Sequence, residues 1–411
     1  EEDQKKDVVD NNVGRNQGYH DRNNGSGADF FSHARDTLPP WMSESHRPTT
    51  NPVIRLHNEI VDFCRLMEPR EEEIAIRKQV VTRFRKVALE EFGPEHCEVQ
   101  LFGSQETGLF LPTSDIDLVI QINGEEEKAN GENVEDDMED WRNSSSQNPL
   151  VRLANALREK WRDDLSYLEV IQNTRIPLVK LTLKDHNLSM DICCNQANGP
   201  KAATLMTTFL QAMPPLRPLT FVLKYFLASR GMNEPYSGGI GSYLLQLMIV
   251  SFLQHRERDG YNYDRSSLYN LGALLLEFME LYGMDFNYVT TGLSVRHDGS
   301  YFPKGAKDRK PNFWKPQRSF SIGCENPLEP TVDVGTSSFK MSTIQRSFEI
   351  AFKVLLAHLT EPRLPAESIL ATILPPTKEM RARWGGTPEE SDDDDDLFAQ
   401  DTPEPKRRRL N

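Results

Sequence analysis

The chain has 411 residues, of which 37% are hydrophobic and 27% are charged. Both fractions are typical of globular proteins and exclude a collagen, a mini-protein or a wholly disordered chain. The longest apolar stretch, residues 240–253, contains polar side chains and is shorter than the roughly 20 residues that a bilayer span needs, so we expect no membrane segment. The five cysteines form neither a CxxC pair nor a Cys/His cluster, which argues against a zinc module or disulfide scaffold and favours a reducing compartment.

The net charge of −14 is concentrated in two segments. Glu125–Asp140 carries −8 and Glu389–Glu404 carries −9, so the rest of the chain carries +3. The body of the protein is therefore mildly basic. Because electrostatic affinity for RNA rises with the number of phosphates neutralised, this charge predicts weak RNA binding by the chain alone.

Composition and periodicity divide the first half of the chain into three regions. Residues 1–40 are rich in Asn, Asp, Gly and Lys, and we predict that they are disordered. Residues 41–92 carry two helical patterns, which we assign to a central helical domain. Residues 93–213 show the period-two pattern of strands, interrupted by an acidic insert at 124–148 whose composition predicts a solvated loop.

The second half of the chain is mainly helical. Residues 214–375 carry four helical patterns and one irregular stretch, Gly292–Ser338, rich in Pro and Gly. Residues 376–411 are predicted to be a disordered tail with an acidic run followed by a basic one. The predicted fold class is therefore α+β, with a small mixed sheet and its helices inserted into a mainly helical domain between disordered termini.

The first of the predicted chemical features is a pair of carboxylates on one strand. Residues two apart on a strand share a face, so Asp115 and Asp117 project together while Ile116, Leu118 and Ile120 face the core. Neighbouring carboxylates repel each other unless a cation lies between them. Magnesium is the natural occupant, since it binds oxygen ligands and usually combines one or two carboxylates with substrate phosphates.

Two further features extend this site. Gly103-Ser104 follows a strand and begins a helical turn, where backbone N–H groups and a hydroxyl can hold a phosphate. Asp191 lies on a later strand, with Met190 and Ile192 facing the core. Taken singly, each feature has a common structural explanation. A DxD pair is typical of surface charge, a Gly-Ser pair is typical of a turn, and a lone Asp on a strand is typical of an edge residue. Their joint spacing is more specific, and three acids with two metal ions suit nucleotidyl transfer.

With these motifs the chain resembles the DNA polymerase β-like nucleotidyltransferases and, among them, the noncanonical poly(A) polymerases of the topoisomerase-related-function type. The resemblance covers roughly residues 40–360 and rests on segments that occur in the family's order: Pro40-Trp41-Met42, Arg70–Ile74, Phe102–Ile120, Arg175–Lys180, Asn198-Gly199, Gly238–Tyr243, Asn270–Phe286 and Tyr301–Lys304. It implies that 93–213 is the catalytic nucleotidyltransferase palm and that 214–375 is the central poly(A)-polymerase-associated domain.

The resemblance also implies roles for individual residues. The metal-binding triad would be Asp115, Asp117 and Asp191, holding two Mg²⁺ ions with Mn²⁺ as an alternative, and Gly103-Ser104 would be the triphosphate loop. The remaining nucleotide contacts would be Asn198 and Gly199 at the sugar, Lys224 at the triphosphate, and Ser242 and Tyr243 as hydroxyl and stacking aromatic. On the apolar pattern alone, without the resemblance, the preferred interpretation of Tyr243 is a buried core aromatic.

One segment departs from the family pattern. Adenylating relatives usually have Asn-Asp-Val-Gly-Arg and uridylating relatives a histidine at the first place, whereas this chain has Val332-Asp333-Val334-Gly335-Thr336. The absent histidine argues against a uridylyltransferase. We expect Asp333, with a bound water, to accept a hydrogen bond from the exocyclic amine of adenine.

The resulting prediction is a template-independent adenylyltransferase that uses ATP and an RNA 3′ end. The resemblance implies a zinc-knuckle RNA-binding protein and an RNA helicase as partners in exosome-linked nuclear surveillance. The basic string Lys406–Arg409 has the form of a nuclear localisation signal and predicts a nuclear, or more narrowly nucleolar, location. The alternatives are a related enzyme with another base preference or a small-molecule acceptor, and a non-catalytic scaffold.

Overall fold

The computed structural model describes residues 39–41, 51–122, 148–172, 174, 176–196, 198–258, 269–306, 313, 315–360, 368–377, 380 and 383. Its helices are α1 Pro52–Met67, α2 Glu71–Phe92, α3 Gly103–Thr107, α4 Pro149–Lys160, α5 Asn198–Ala212, α6 Leu216–Ala228, α7 Ser242–Arg258, α8 Leu271–Glu280 and α9 Met341–Thr360. Its strands are β1 Cys97–Leu101, β2 Ile116–Ile122, β3 Leu165–Ile171, β4 Leu178–Leu183, β5 Ser189–Cys194, β6 Thr291–Ser294, β7 Ser300–Pro303 and β8 Gly323–Cys324.

The larger sheet has five strands in the order β1-β2-β5-β4-β3. Strands β2 and β5 are parallel and the other neighbours are antiparallel, so the sheet is mixed. Strands β4 and β5 form a hairpin, and its turn contains His186 and Asn187 with positive φ. Strand β3 was not predicted. It lies at the sheet edge, where none of its residues is buried, and its periodic signal is therefore weak.

The two N-terminal helices pack in different cores, although both lie within residues 41–92, which we predicted to belong to the central domain. The apolar face of α2, including Phe84 and Val87, packs with α4 against the five-stranded sheet. Helix α1 instead shares its core with the helices that follow the sheet. The chain therefore begins in the helical body, crosses to the sheet through α2, and returns after β5.

The helical body has one continuous core built around buried aromatic rings. Phe226 and Phe348 stack with ring centroids 5.7 Å apart, and Phe278 packs edge-on against Phe348 at 5.8 Å. Trp41, at the start of the described chain, is fully buried with its ring 5.4 Å from that of Phe63. These contacts between distant segments hold the body together.

The packed chain continues beyond the predicted boundary at residue 375. Met380 is 3% exposed, and Arg383 donates to the backbone oxygen of Leu66 at 2.8 Å and pairs with Glu73. Met380 and Arg383 thus pack against the body from within the segment predicted as the tail, where an apolar and a basic side chain among polar residues give no periodic signal. The rest of the tail lies outside the described residues, as does the acidic insert apart from Asn148, which caps α4.

A second sheet, in the order β7-β6-β8, lies within the stretch predicted to be irregular. Its strands have four, four and two residues, too short to show a clear alternation. The buried Lys304 donates to the backbone oxygens of Tyr288, Ser319 and Ser321 at 2.8, 2.9 and 2.8 Å, and so fixes the chain on both sides of this sheet. In the part of the chain that the structure describes, no helix has the length and apolarity to cross a membrane.

Candidate active site

Two predicted carboxylates lie side by side on the parallel strands of the larger sheet. Asp117 on β2 is the register partner of Asp191 on β5, and Asp115 stands just before β2. On the opposite face Ile116, Leu118 and Ile120 are fully buried, as the period-two pattern predicted. We call Asp115, Asp117 and Asp191 the carboxylate wall.

Asp117 is the most constrained member of the carboxylate wall. Burial, together with repulsion from Asp191 and Asp115, raises its pKa to about 7. Its carboxylate lies directly against Gly103, where an added Cβ would overlap Oδ2 of Asp117, and Gly103 has a φ of +65°. A glycine is therefore required at this position for the approach of Asp117 and for the backbone conformation.

Lys180 is a site residue that the sequence analysis did not single out. It is the register partner of Asp191 on β4, and its Nζ lies 3.0 Å from Asp115 Oδ2 and 3.2 Å from Asp191 Oδ1. Burial alone would lower the pKa of Lys180, but attraction to Asp191 and Asp115 raises it above its usual range. The ammonium group thus supplies the cation between two of the three carboxylates.

Arg77 on α2 holds the loop between Gly103-Ser104 and the carboxylates. It is 3% exposed and donates to Gln105 Oε1 at 3.1 Å and to the backbone oxygens of Pro112 and Ser114 at 3.0 and 2.7 Å. Its guanidinium also lies over the ring of Phe110, and burial lowers its pKa. In the sequence, Arg77 is only an arginine off the apolar face of an amphipathic helix. Such a position is typical of a solvated residue and does not indicate this role.

Lys224 faces the carboxylate wall from α6. Its buried Nζ donates to the backbone oxygen of Leu109 at 2.9 Å. Burial lowers the pKa of Lys224 to about 8, with Arg77 acting in the same direction and Asp117 against it. An anion bound beside Lys224 would therefore stabilise its protonated form.

Ser242 and Tyr243 begin α7, and with Lys224 they form what we call the helical wall. Ser242 is exposed, and Tyr243 is half-buried with its hydroxyl 3.4 Å from Oδ1 of Asn326. Tyr243 thus lies at the surface of the core and lines the cavity described below, so it is not a fully buried core aromatic.

Asn198 and Gly199 begin α5 at the edge of the same cleft. The amide of Asn198 reaches Oε2 of Glu329 at 3.5 Å. A Cβ added to Gly199 would lie 2.8 Å from the ring of Phe102, so glycine allows α5 to pack against the residue that precedes Gly103. In this structure the close approach to Phe102 explains the glycine.

Asp333 does not occupy the role that the sequence analysis gave it. Its Oδ1 accepts hydrogen bonds from the backbone N–H groups of Cys324 and Gly335 at 3.0 and 2.9 Å, and the residue is 7% exposed. Burial raises its pKa. Its neighbours Val332 and Val334 line the cavity instead, so the geometry does not support the prediction that this carboxylate reads adenine. A buried carboxylate is held here because it satisfies two buried donors.

A cavity of about 760 Å³ lies between the two walls. The predicted site residues that line it are Gly103, Ser104, Asp115, Asp117, Asn198, Gly199, Lys224, Ser242 and Tyr243. Glu234 also lines the cavity, and burial raises its pKa, with Lys180 opposing and Asp115 and Asp191 reinforcing that shift. The structure therefore brings nearly all the predicted residues to one cleft that has acidic groups on one side and Lys224 on the other.

The carboxylate wall fits divalent cations by its chemistry. Its donors are oxygen atoms, and the raised pKa of Asp117 reflects charge that the protein alone leaves poorly compensated. Among the described residues, no three His, Cys, Asp or Glu side chains are already spaced to hold an ion. Because Lys180 sits between Asp115 and Asp191, ion binding requires its ammonium group to withdraw.

Comparison with known families identifies two matching segments. Residues 56–211 match the family described as poly(A) RNA polymerase, mitochondrial-like, central palm domain. Residues 270–332 match the family described as Cid1 family poly A polymerase. The first segment contains the carboxylate wall, and the second ends at Val332, within the loop that contributes to the cavity.

Several curated proteins are similar over most of this chain. Poly(A) RNA polymerase CID14 of Cryptococcus neoformans is 33% identical over 78% of this chain and 40% of its own length. Poly(A) RNA polymerase cid14 of Schizosaccharomyces pombe is 32% identical over 74% and 41%. The inactive noncanonical poly(A) RNA polymerase protein Trf4-2 of Drosophila melanogaster is 34% identical over 72% and 67%. The chain spans less than half the length of the two CID14 proteins.

Solved structures share the fold. The polymerase core of TRAMP, described as an RNA surveillance complex, superimposes with a TM-score of 0.66 and 27% identity over 82% of this chain and 99% of that one. The Cid1 poly(U) polymerase with bound MgGTP has a TM-score of 0.60 at 19% identity, covers 76% of this chain and 98% of its own, and supports the fold alone. The predicted fold class is confirmed.

Proposed function

This chain belongs to the noncanonical poly(A) RNA polymerases, and from that membership we propose that it transfers adenylate from ATP to the 3′ end of RNA without a template. The observation that carries this proposal is the cleft itself. Asp117 and Asp191 are in register on parallel strands, and Asp115, Asp117, Gly103-Ser104 and Lys224 all line a cavity of about 760 Å³.

Each wall would have its own task in the reaction. Asp115, Asp117 and Asp191 would hold two Mg²⁺ ions, which when bound favour deprotonation of the attacking hydroxyl and neutralise charge at the leaving pyrophosphate. Lys224 would bind the triphosphate as a point charge, and Ser104 would add a hydroxyl donor. Tyr243 offers a ring face for the base, held at its hydroxyl by Asn326.

Family membership alone does not decide between an enzyme and a scaffold, because one relative is named inactive. The carboxylates are the discriminating feature. All three are present here, and Asp117 is held buried beside the other two although this raises its pKa to about 7. Retaining such a repulsive arrangement favours a metal-binding site over a purely structural role.

ATP is the proposed donor. The proposal is supported by the poly(A) polymerase names of the relatives and by the absence of a histidine from the segment 332–336. Since Asp333 is engaged by backbone groups, base selection would rest on the residues that line the cavity near Tyr243, namely Asn326, Val332 and Val334. An enzyme with another base preference is the competing proposal.

The wider setting of the activity is also a proposal. The similarity to the polymerase core of an RNA surveillance complex supports a role in nuclear RNA surveillance linked to exosome decay. A zinc-knuckle RNA-binding protein and an RNA helicase would then be partners, consistent with the modest charge of the body. The string Lys406–Arg409 supports a nuclear, including nucleolar, location.

Primer extension with each of the four nucleoside triphosphates tests the proposal. Purified protein, Mg²⁺ and an oligo(A) primer should give a ladder with ATP and much shorter products with CTP, GTP or UTP. The Asp115→Asn/Asp117→Asn double variant is the control for contaminating polymerases. Absence of extension with every nucleotide would refute the enzymatic assignment. Equal use of ATP and UTP would refute the proposed preference for ATP as the donor.

A further inference from the structure

Tyr236 is a large aromatic side chain displayed to solvent at the rim of the cleft. It is 84% exposed, far more than any other large hydrophobic side chain among the described residues. The two residues that precede it, Glu234 and Pro235, line the active-site cavity together with Asp115 and Asp117. The exposed ring therefore follows directly on residues of the cavity lining.

The turn that carries Tyr236 is held by a dense set of backbone hydrogen bonds. The N–H groups of Ser237 and Gly239 donate to Glu234 O at 3.2 and 2.9 Å, and that of Gly238 donates to Pro235 O at 3.1 Å. Gly238 has a φ of +91°, which a residue with a side chain rarely adopts. An exposed ring on a fixed turn loses little conformational freedom when it binds.

A second exposed ring lies against this turn. Phe339 is 50% exposed, and its ring packs so closely on Gly238 that an added Cβ would overlap it. The N–H of Lys340 donates to Gly238 O at 3.0 Å. The two aromatic residues are thus fixed to each other through Gly238.

Basic side chains lie beside Phe339. The guanidinium of Arg318 lies 5.6 Å from the centroid of Phe339 and donates to Thr336 O at 3.1 Å, and Lys315 reaches Thr336 Oγ1 at 3.5 Å. Lys315, Arg318, Phe339 and Lys340 are exposed. We call these four residues and Tyr236 the rim patch. Segments 315–320 and 334–346 contain no acidic residue.

We propose that the rim patch is an acceptor-strand subsite, in which Tyr236 and Phe339 stack on bases of single-stranded RNA while Lys315, Arg318 and Lys340 contact its phosphates. Exposed rings interleaved with basic side chains are the usual means of binding single strands without sequence preference. The inference rests on the proposed function, because an RNA 3′ end must reach the carboxylate wall. It gives that strand a path over the turn 235–237.

The contrast between the rim patch and the cleft favours a nucleic acid over a protein as its occupant. Acidic groups dominate the cleft near the carboxylate wall and would repel RNA phosphates in the absence of metal ions, whereas the rim patch attracts them. A chain whose body carries only a small positive charge needs this local concentration to hold an acceptor.

The test separates RNA binding from catalysis. Binding of a fluorescent oligo(A) is measured by anisotropy at low salt without ATP or metal, and KM for primer and for ATP is measured by extension. Because base–aromatic stacking is worth about 1–3 kcal/mol, Tyr236→Ala should raise the oligo(A) Kd and the primer KM about tenfold to a hundredfold and leave the ATP KM unchanged. Tyr236→Phe should restore the affinity that the Ala variant loses.

Two lysine variants test the electrostatic part. Lys340→Ala should lower the salt dependence of oligo(A) binding by about one phosphate contact. Lys353→Ala, which removes the same charge ~18 Å farther along α9, should not change it. If Lys340→Ala leaves the salt dependence unchanged, the phosphate contacts assigned to the rim patch are wrong.

The outcomes for the two proposals are distinguishable. An unchanged Kd and primer KM in Tyr236→Ala would overturn the acceptor subsite, and would leave the rim patch to be explained as a protein-docking face. Tyr236-dependent oligo(A) binding by a protein that extends no primer would refute the proposed function and leave the rim patch as an RNA-binding surface. Primer extension that is unchanged in Tyr236→Ala would support the proposed function and refute the acceptor subsite.

Discussion

The carboxylate wall and the helical wall face the same cavity but are positioned by different means. Asp117 and Asp191 are adjacent because β2 and β5 are in register, so their separation is fixed by the sheet. Lys224 and Tyr243 are placed by contacts between distant segments, to Leu109 and Asn326 respectively. The backbone of the sheet fixes the positions of the carboxylates. The positions of the side chains in the helical wall depend on the loops packed around them.

Because of this difference, we expect substitutions in the two walls to affect activity and stability differently. A substitution among the carboxylates removes charge from a backbone that persists without it, so folding survives and chemistry is lost. On the helical wall, the geometry depends on loops such as 322–338, so substitutions there combine effects on nucleotide affinity with effects on stability. The predictions below compare the effects of substitutions in the two walls.

Asp117→Asn should have the largest effect. Extension should fall by at least about a thousandfold, because a ligand of the proposed ions is lost. The metal-free variant should also melt at a higher temperature than the wild type, since a buried charge and its repulsion from two neighbours are removed. Single-turnover extension and thermal unfolding in EDTA measure both. Asp185→Asn, the same change on the exposed β4–β5 turn, is the control, and near-wild-type extension by Asp117→Asn would contradict the account.

Lys224→Met should have an intermediate effect, confined mainly to ATP. A lost charge-assisted contact predicts an ATP KM that is roughly ten- to a hundredfold higher. The pKa of about 8 gives a second signature: as pH rises through 8, Lys224 loses its proton and the wild-type ATP KM should rise, whereas that of the Met variant should not. Steady-state kinetics between pH 7 and 9, with Lys353→Met as control, test this. A parallel pH profile in both proteins would rule out Lys224 as the titrating contact.

Asp333 should have the smallest effect on chemistry and a clear effect on folding. Asp333→Ala leaves two buried N–H groups without an acceptor and should lower the free energy of unfolding by about 2–5 kcal/mol. Asp333→Asn keeps an oxygen in place and should leave the ratio of ATP to UTP incorporation within about twofold. Denaturant unfolding and competition extension are the measurements. A tenfold change of that ratio in the Asn variant would restore the adenine-reading role.

Local periodicity was sufficient to predict which way the side chains of the carboxylate wall point, but not that β2 and β5 are neighbours. The alternation of Ile116, Asp117 and Leu118 determines which side chains face the core, and the strand carrying Asp191 shows the same alternation. The long helices were predictable for the same reason, because an amphipathic face repeats over several turns. The weakly patterned elements, β3 and the strands of the second sheet, were missed.

The residues that the sequence could not place depend on long-range packing. Nothing near Lys180 indicates that it will lie between two carboxylates, since that requires the register of β4 with β5. The backbone hydrogen bonds of Asp333 could not be predicted either, because a motif gives the identity of a residue but not the direction of its side chain. The rim patch likewise joins segments about a hundred residues apart through the contact of Phe339 with Gly238.

The central claim is that the carboxylate wall holds the catalytic ions, and metal binding tests it without relying on turnover. Mn²⁺ is titrated into the protein in the presence of a non-hydrolysable ATP analogue, and the bound ions are counted by electron paramagnetic resonance. The account predicts about two bound ions in the wild type and a loss of that binding in Asp117→Asn. Equal Mn²⁺ binding by both proteins, or none by the wild type, would contradict it.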